Sequence, residues 1–194
     1  MGRSYRAALA AIGVLFATSP AFADDEASNR PLVVASEYGN CYAKSIPYAS
    51  YGNEGQTRVY VVENGDDTIA ATFDWYSNRL HLECNVADSS GATAISVVEF
   101  GPWARGQEAT DDVLALAFYW NGRLLRRYST LDIAGTPNNV IASVSHYSVV
   151  EEVIGYQWAD GNRYRFSIRT IDNRTITFDA GAGTIISSIA TQTR

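Results

Sequence analysis

From Pro31 onward, apolar and polar residues alternate with a period of two. Short runs rich in Val, Ile, Thr, Tyr and Phe are broken by turn residues, and no stretch sustains the i, i+3, i+4, i+7 spacing of a long amphipathic helix. The pattern predicts an all-β, antiparallel, hairpin-rich single domain over residues 31–194, either a β-sandwich or a barrel-like closure of the same strands.

Three hairpins anchor this reading. Val59 to Val62 leads into Asn64-Gly65, and Leu114 to Trp120 leads into Asn121-Gly122. Asn-Gly favours the positive φ angles of a type I′ turn, whose twist matches that of the flanking strands. Tyr164 to Thr170 runs into Asp172-Asn173 and returns through Thr175 to Phe178. Thr72-Phe73-Asp74 and Thr177-Phe178-Asp179 occupy similar turn–strand–turn contexts, read as a shared hairpin habit and not as a solenoid or propeller repeat.

Alternation assigns faces. In Arg79 to Cys84, Leu80, Leu82 and Cys84 share an inward face, and Arg79, His81 and Glu83 share the other, which reads as polar and solvated. In Tyr164 to Arg169 the aromatic and aliphatic residues lie opposite Arg165, Ser167 and Arg169, giving this sheet one wet side. Val113 to Trp120 has little polar character on either face and predicts a central strand covered on both sides.

The first 23 residues follow a different rule. Arg3 and Arg6 precede an apolar run from about Ala7 to Ala17, and Ala21-Phe22-Ala23 ends it in a small-x-small pattern. This predicts a secretory signal peptide over residues 1–23, cleaved after Ala23, then a flexible acidic segment over residues 24–30. The run is too short for the ~30 Å hydrocarbon core, and no later stretch reaches the ~18 apolar residues a membrane helix needs. A periplasmic or secreted location is expected, without a membrane span.

Export changes the reading of Cys41 and Cys84, the two cysteines of the chain. In an oxidising compartment they are expected to pair, closing a loop of about 44 residues and stabilising by roughly 4 kcal/mol. Export also changes the charge. Loss of the leader removes two arginines and no acids, so the formal −6 becomes −8. That balance argues against non-specific binding to nucleic acid or anionic membrane.

Little in the sequence carries catalysis. The histidines are His81, read as a solvated surface residue, and His146, within Ser143-Val144-Ser145-His146-Tyr147-Ser148. Neighbouring strand residues face apart, so Ser145 and His146 are not expected to pair as nucleophile and base without a bulge. The acid pairs Asp66-Asp67, Asp111-Asp112 and Glu151-Glu152 read as turn or edge charges, because adjacent carboxylates on a strand do not face each other across a substrate. Asn64-Gly65-Asp66-Asp67 lacks the order and distal glutamate of a calcium loop. Gly181-Ala182-Gly183 joins two strands and does not open a phosphate-binding helix. No metal and no cofactor are expected.

Two features suit binding. Trp103 sits beside Pro102 in a glycine-flanked loop with Arg105, where it either plugs the end of the barrel or stands exposed to a ligand. Arg163, Arg165 and Arg169 share one strand face, suited to gripping a carboxylate or phosphate or else to pairing with local acids. The sequence therefore predicts an exported, envelope-associated, non-catalytic binding domain whose partner is an envelope protein, a glycan or a small anionic ligand. The alternatives are a small periplasmic hydrolase built on His146 and an inhibitor of a secreted enzyme presenting Trp103.

Overall fold

A computed structural model describes residues 27–37, 39–87, 93–159 and 163–190. Residues 1–26, on which the expected leader and its cleavage site fall, lie outside the described residues. Four strands come first: β1 (Leu32–Ala35), β2 (Cys41–Pro47), β3 (Gly55–Glu63) and β4 (Asp66–Phe73). Then follow β5 (Leu80–Ala87), β6 (Thr93–Phe100), the two-residue β7 (Ala104–Arg105), β8 (Leu114–Trp120) and β9 (Arg123–Ser129). A five-residue helix α1 (Thr130–Ala134) precedes β10 (Ile141–Ala142), β11 (His146–Ser148) and β12 (Val150–Ala159). The last strands are β13 (Arg163–Thr170), β14 (Arg174–Asp179) and β15 (Ile185–Ala190).

Antiparallel pairing arranges these strands as β1-β2-β3-β4, β5-β6-β8-β9 and β12-β13-β14-β15, with a small β10-β11-β7 sheet at one end. The turns explain the register. Asn64-Gly65 and Asn121-Gly122 hold positive φ at both residues, and Asn173 does so in the β13–β14 turn. The two Thr-Phe-Asp contexts differ in three dimensions, because the first leads from the first sheet into the second whereas the other stays within the last.

The three larger sheets stack with β5-β6-β8-β9 in the middle. On one side, Leu80, Leu82, Cys84, Val97, Ala117 and Tyr119 pack against Cys41, Ala43, Val59, Ala71 and Phe73 of the first sheet. On the other, Val98, Phe100, Leu116, Phe118 and Tyr128 pack against Phe166, Ile168, Ile176 and Phe178 of the last. The period-two pattern of β8 is resolved in this way: Leu116 and Phe118 enter one core and Ala117 and Tyr119 the other, so both faces are apolar. Cys41 and Cys84 are disulfide-bonded across the first of these interfaces. No helix among the described residues is long and apolar enough to cross a membrane.

Arg79 is exposed as expected, but the β5 face carrying His81 and Glu83 is not the solvated one expected. The third sheet covers it: the His81 ring lies 5.7 Å from that of Phe166, and Glu83 is fully buried, its carboxylate accepting from the backbone N–H groups of Cys84 and Asn85. Alternation identified the two faces correctly but could not show that a second sheet covers the more polar one. Helix α1 was also missed by periodicity, being shorter than two turns. Its local signal is a capping box, in which Ser129 and Asp132 bond each other's backbone N–H.

Asn29 and Arg30 are tied to the first sheet's loops. The Asn29 amide donates to the carbonyls of Ala49 and Gly52, and the Tyr76 hydroxyl donates to the Arg30 carbonyl.

Candidate functional site

The stacked sheets leave an open cavity of about 580 Å³ at the end where the β10-β11-β7 sheet sits. Three segments build its wall: Asn78 and Arg79 in the bend before β5, the stretch from Phe100 at the end of β6 to Ala104, and β10 with β11. Leu114, Ala115, Val149 and Thr130 close its inner side.

A chain of buried hydroxyls fixes the bend. The Ser77 N–H donates to Ser45 Oγ (3.1 Å), which shares a 2.8 Å bond with Thr57 Oγ1, and Thr57 donates onward to the Trp75 carbonyl (2.9 Å). Ser77 Oγ in turn accepts from the Arg79 N–H and reaches the carbonyls of Arg79 and Phe100. Every hydroxyl of this chain is satisfied, so it stiffens the bend at no desolvation cost from unmade bonds. Arg79 therefore leaves the strand from a rigid base. Its guanidinium lies 4.6 Å from the centre of the Phe100 ring. Partial desolvation lowers its pKa, which leaves an arginine charged at neutral pH.

The opposite loop is held by a close backbone approach. A Cβ on Gly101 would meet the Leu114 carbonyl oxygen at 1.9 Å, so only glycine lets the loop cross β8 there, with its N–H bonded to the Ala115 carbonyl. Two residues on, Trp103 is 44% exposed and stands edge-on to the buried His146 ring, centroids 5.3 Å apart at 86°. The tryptophan is a rim residue with one side in solvent and the other against His146.

His146 opens β11, with its backbone bonded to Ser143 and its Nδ1 2.8 Å from Ser145 Oγ. The expectation that Ser145 and His146 face apart is thus corrected. Ser145 precedes the strand, in a bend whose carbonyls are clamped by the Gln107 amide and the Gly106 N–H, so strand alternation does not govern it. Among the described residues of the cavity wall, His146 is present, whereas Ser145 and any Asp or Glu are not. Thr130 and Tyr147 both line the cavity and are committed to each other through a 2.8 Å hydroxyl bond.

The other predicted residues lie elsewhere. Arg105 pairs in register with His146 and is exposed outside the cavity wall. Arg165 is exposed on the last sheet, in register with Gln157 and Asp179. Arg169 on the same face forms ion pairs with both Glu151 and Glu152. The two neighbouring acids reach one arginine because a bulge between Val150 and Glu152 breaks the alternation. Ser167, between the two arginines, is buried, its hydroxyl 3.1 Å from that of Thr177. The side chain of Arg163 lies outside the described residues. Of the four binding candidates whose side chains are described, Trp103 alone lines the cavity.

Sequence reasoning passed over Arg79 and Asn78, which nothing in the local pattern distinguishes from a strand start. Among the described residues no cluster of three His, Cys, Asp or Glu could hold a metal ion. With this geometry established, comparison with known proteins adds nothing: no family model, no curated protein and no solved structure matches the chain.

Proposed function

We propose that this chain is an exported, non-catalytic binding domain that takes a small organic ligand in the cavity rimmed by Trp103. The observation carrying the reading is the composition of that cavity. A volume of about 580 Å³ falls in the range of small-molecule sites, and its wall joins aromatic and aliphatic side chains to a few polar groups at one rim. The Cys41–Cys84 bond fits an oxidising compartment such as the bacterial envelope. The lack of a carboxylate in the lining, and the placing of Ser145 outside it, weigh against a His146 hydrolase. A partly exposed Trp103 that already packs on His146 suits a rim contact better than a protruding inhibitory anchor.

The test is a fragment screen of the purified protein followed by two-dimensional NMR, with neutral and charged aromatic compounds. Binding is expected to move the Trp103 indole signal together with the Ala115 and Tyr147 amides. If no fragment perturbs that group of resonances, the cavity is not a binding site and the reading fails.

A further inference from the structure

Resting on that reading, we infer that the ligand is an amphipathic monoanion: a flat apolar body carrying one carboxylate, which Arg79 and Asn78 hold at the rim.

The first ground is charge. Among the described residues of the lining, Arg79 alone carries a permanent charge and no acid answers it. Among the described residues its guanidinium makes no ion pair, although the chain as a whole is acidic at −6. A cation left without a carboxylate in a protein rich in carboxylates is a position where an incoming anion gains and meets no repulsion.

The second ground is geometry. The guanidinium carbon lies 4.6 Å over the centre of the Phe100 ring and its N–H groups make no hydrogen bond among the described residues, which leaves them for the fork-shaped grip that matches two carboxylate oxygens. The adjacent Asn78 side chain makes no hydrogen bond among the described residues and adds an amide donor at the same rim. Both are carried by the bend that the Ser77–Ser45–Thr57 hydroxyls hold rigid, so the donors are in place before the ligand arrives.

The remainder of the wall defines the body of the ligand. Phe100, Pro102, Trp103, Leu114 and Val149 offer apolar surface, and the Tyr147 hydroxyl is bonded to that of Thr130, which the Thr110 backbone holds in turn. A single cation suits a single negative charge. A phosphate monoester would bring close to two charges and three oxygens to a rim that has one arginine.

The experiment titrates the purified protein with two matched series, arylalkanoates of increasing chain length and their primary amides, followed by calorimetry and by the Trp103 indole signal. The carboxylates are expected to bind at least about tenfold more tightly than the amides. Arg79→Gln should remove that preference by weakening the carboxylates far more than the amides, and Asn78→Ala should reduce it less. The melting temperature of each variant checks that it is folded, and Arg79→Lys, which keeps charge but not the fork, should fall between. Equal binding of both series, or a preference that survives Arg79→Gln, overturns the inference and leaves the cavity reading intact. Failure of every member of both series to move the Trp103 signal overturns the two together.

Discussion

The middle sheet faces two neighbours that hold it by different means. Against the third sheet it presents large side chains. Phe118 is ringed by Phe166, Phe178 and Tyr128, with centroids 4.8 to 6.1 Å apart and mostly edge-to-face, and Ile168 and Ile176 fill the spaces between. Against the first sheet it presents Leu80, Leu82, Val97 and Tyr119 beside the smaller Cys84 and Ala117, and the first sheet answers mostly with small residues, Cys41, Ala43, Val59 and Ala71, together with Phe73. Small residues bury less area, and the hydrophobic contribution scales with area. The disulfide and the Ser45–Thr57–Ser77 hydroxyl chain lie on this weaker side. A thin interface that must also hold the rim of a cavity is thus held by a covalent link and buried hydroxyl bonds, whereas the aromatic interface relies chiefly on packing, with the Tyr156–Ser96 and Tyr128–Gly183 hydrogen bonds beside it.

The comparison breaks most sharply at Phe166, fully buried and in ring contact with Phe100, Phe118, Tyr156 and His81. Phe166→Ala is expected to destabilise by about 3 to 5 kcal/mol in denaturant titration, because the rings around it cannot close the hole. A loss below about 1 kcal/mol would mean that this interface is not the principal core.

Removing the covalent link through Cys41→Ala with Cys84→Ala is expected to cost about 2 to 4 kcal/mol. The place of the damage distinguishes it from Phe166→Ala. Hydrogen exchange should quicken in β2 and β3 while β13 and β14 keep their protection. Uniform loss of protection across all three sheets would show that the two interfaces are one cooperative unit.

His81 sharpens the contrast through pH. Burial, and then the nearby Arg79 charge, lowers its pKa from 6.5 to about 4. The unfolded chain therefore takes up a proton at a higher pH than the folded one. The stabilisation from neutral His81 is complete above pH 6.5 and declines as pH falls towards 4, by about 2 kcal/mol after allowing for partial solvent access. His81→Leu should flatten that segment of the stability curve and leave the rest unchanged. An NMR titration placing the His81 midpoint near 6.5 would contradict the packing described.

What could be read beforehand was local. Asn-Gly at 64–65 and 121–122 imposes its φ angles without help from distant residues, and the two apolar faces of Val113 to Trp120 require cover from both sides whatever supplies it. Inward-facing Cys84 signalled its bond in the same way. What was not legible depends on distant chain. His81 and Glu83 read as solvated because alternation does not reveal that β13 covers them. The Ser145–His146 contact arises from a bend pinned by Gln107, and the cavity from the meeting of three segments spread from Asn78 to Val150. Arg79 acquires its meaning only there.

The smallest effect is expected on the outer face of the third sheet, where the sequence placed an arginine grip. Arg169 is about one third exposed and engages Glu151 at 3.4 Å and Glu152 more closely, with both acids nearly half exposed. Pairs of this kind gain little, because water screens the attraction and two long side chains lose freedom in forming it. Arg169→Ala is expected to cost less than about 1 kcal/mol in 0.15 M salt, and Arg165→Ala, whose side chain makes no ion pair among the described residues, essentially nothing. In 1 M salt, where the Debye length contracts to about 3 Å, the Arg169 difference should shrink further. Neither substitution should alter arylalkanoate binding at Arg79, because neither residue lines that cavity. Denaturant titration at the two salt concentrations, combined with calorimetry of the arylalkanoate, separates the possibilities. A binding loss in the double variant Arg165→Ala with Arg169→Ala at unchanged stability would move the site to this face, and the hydroxyl-braced rim would then be scaffold alone.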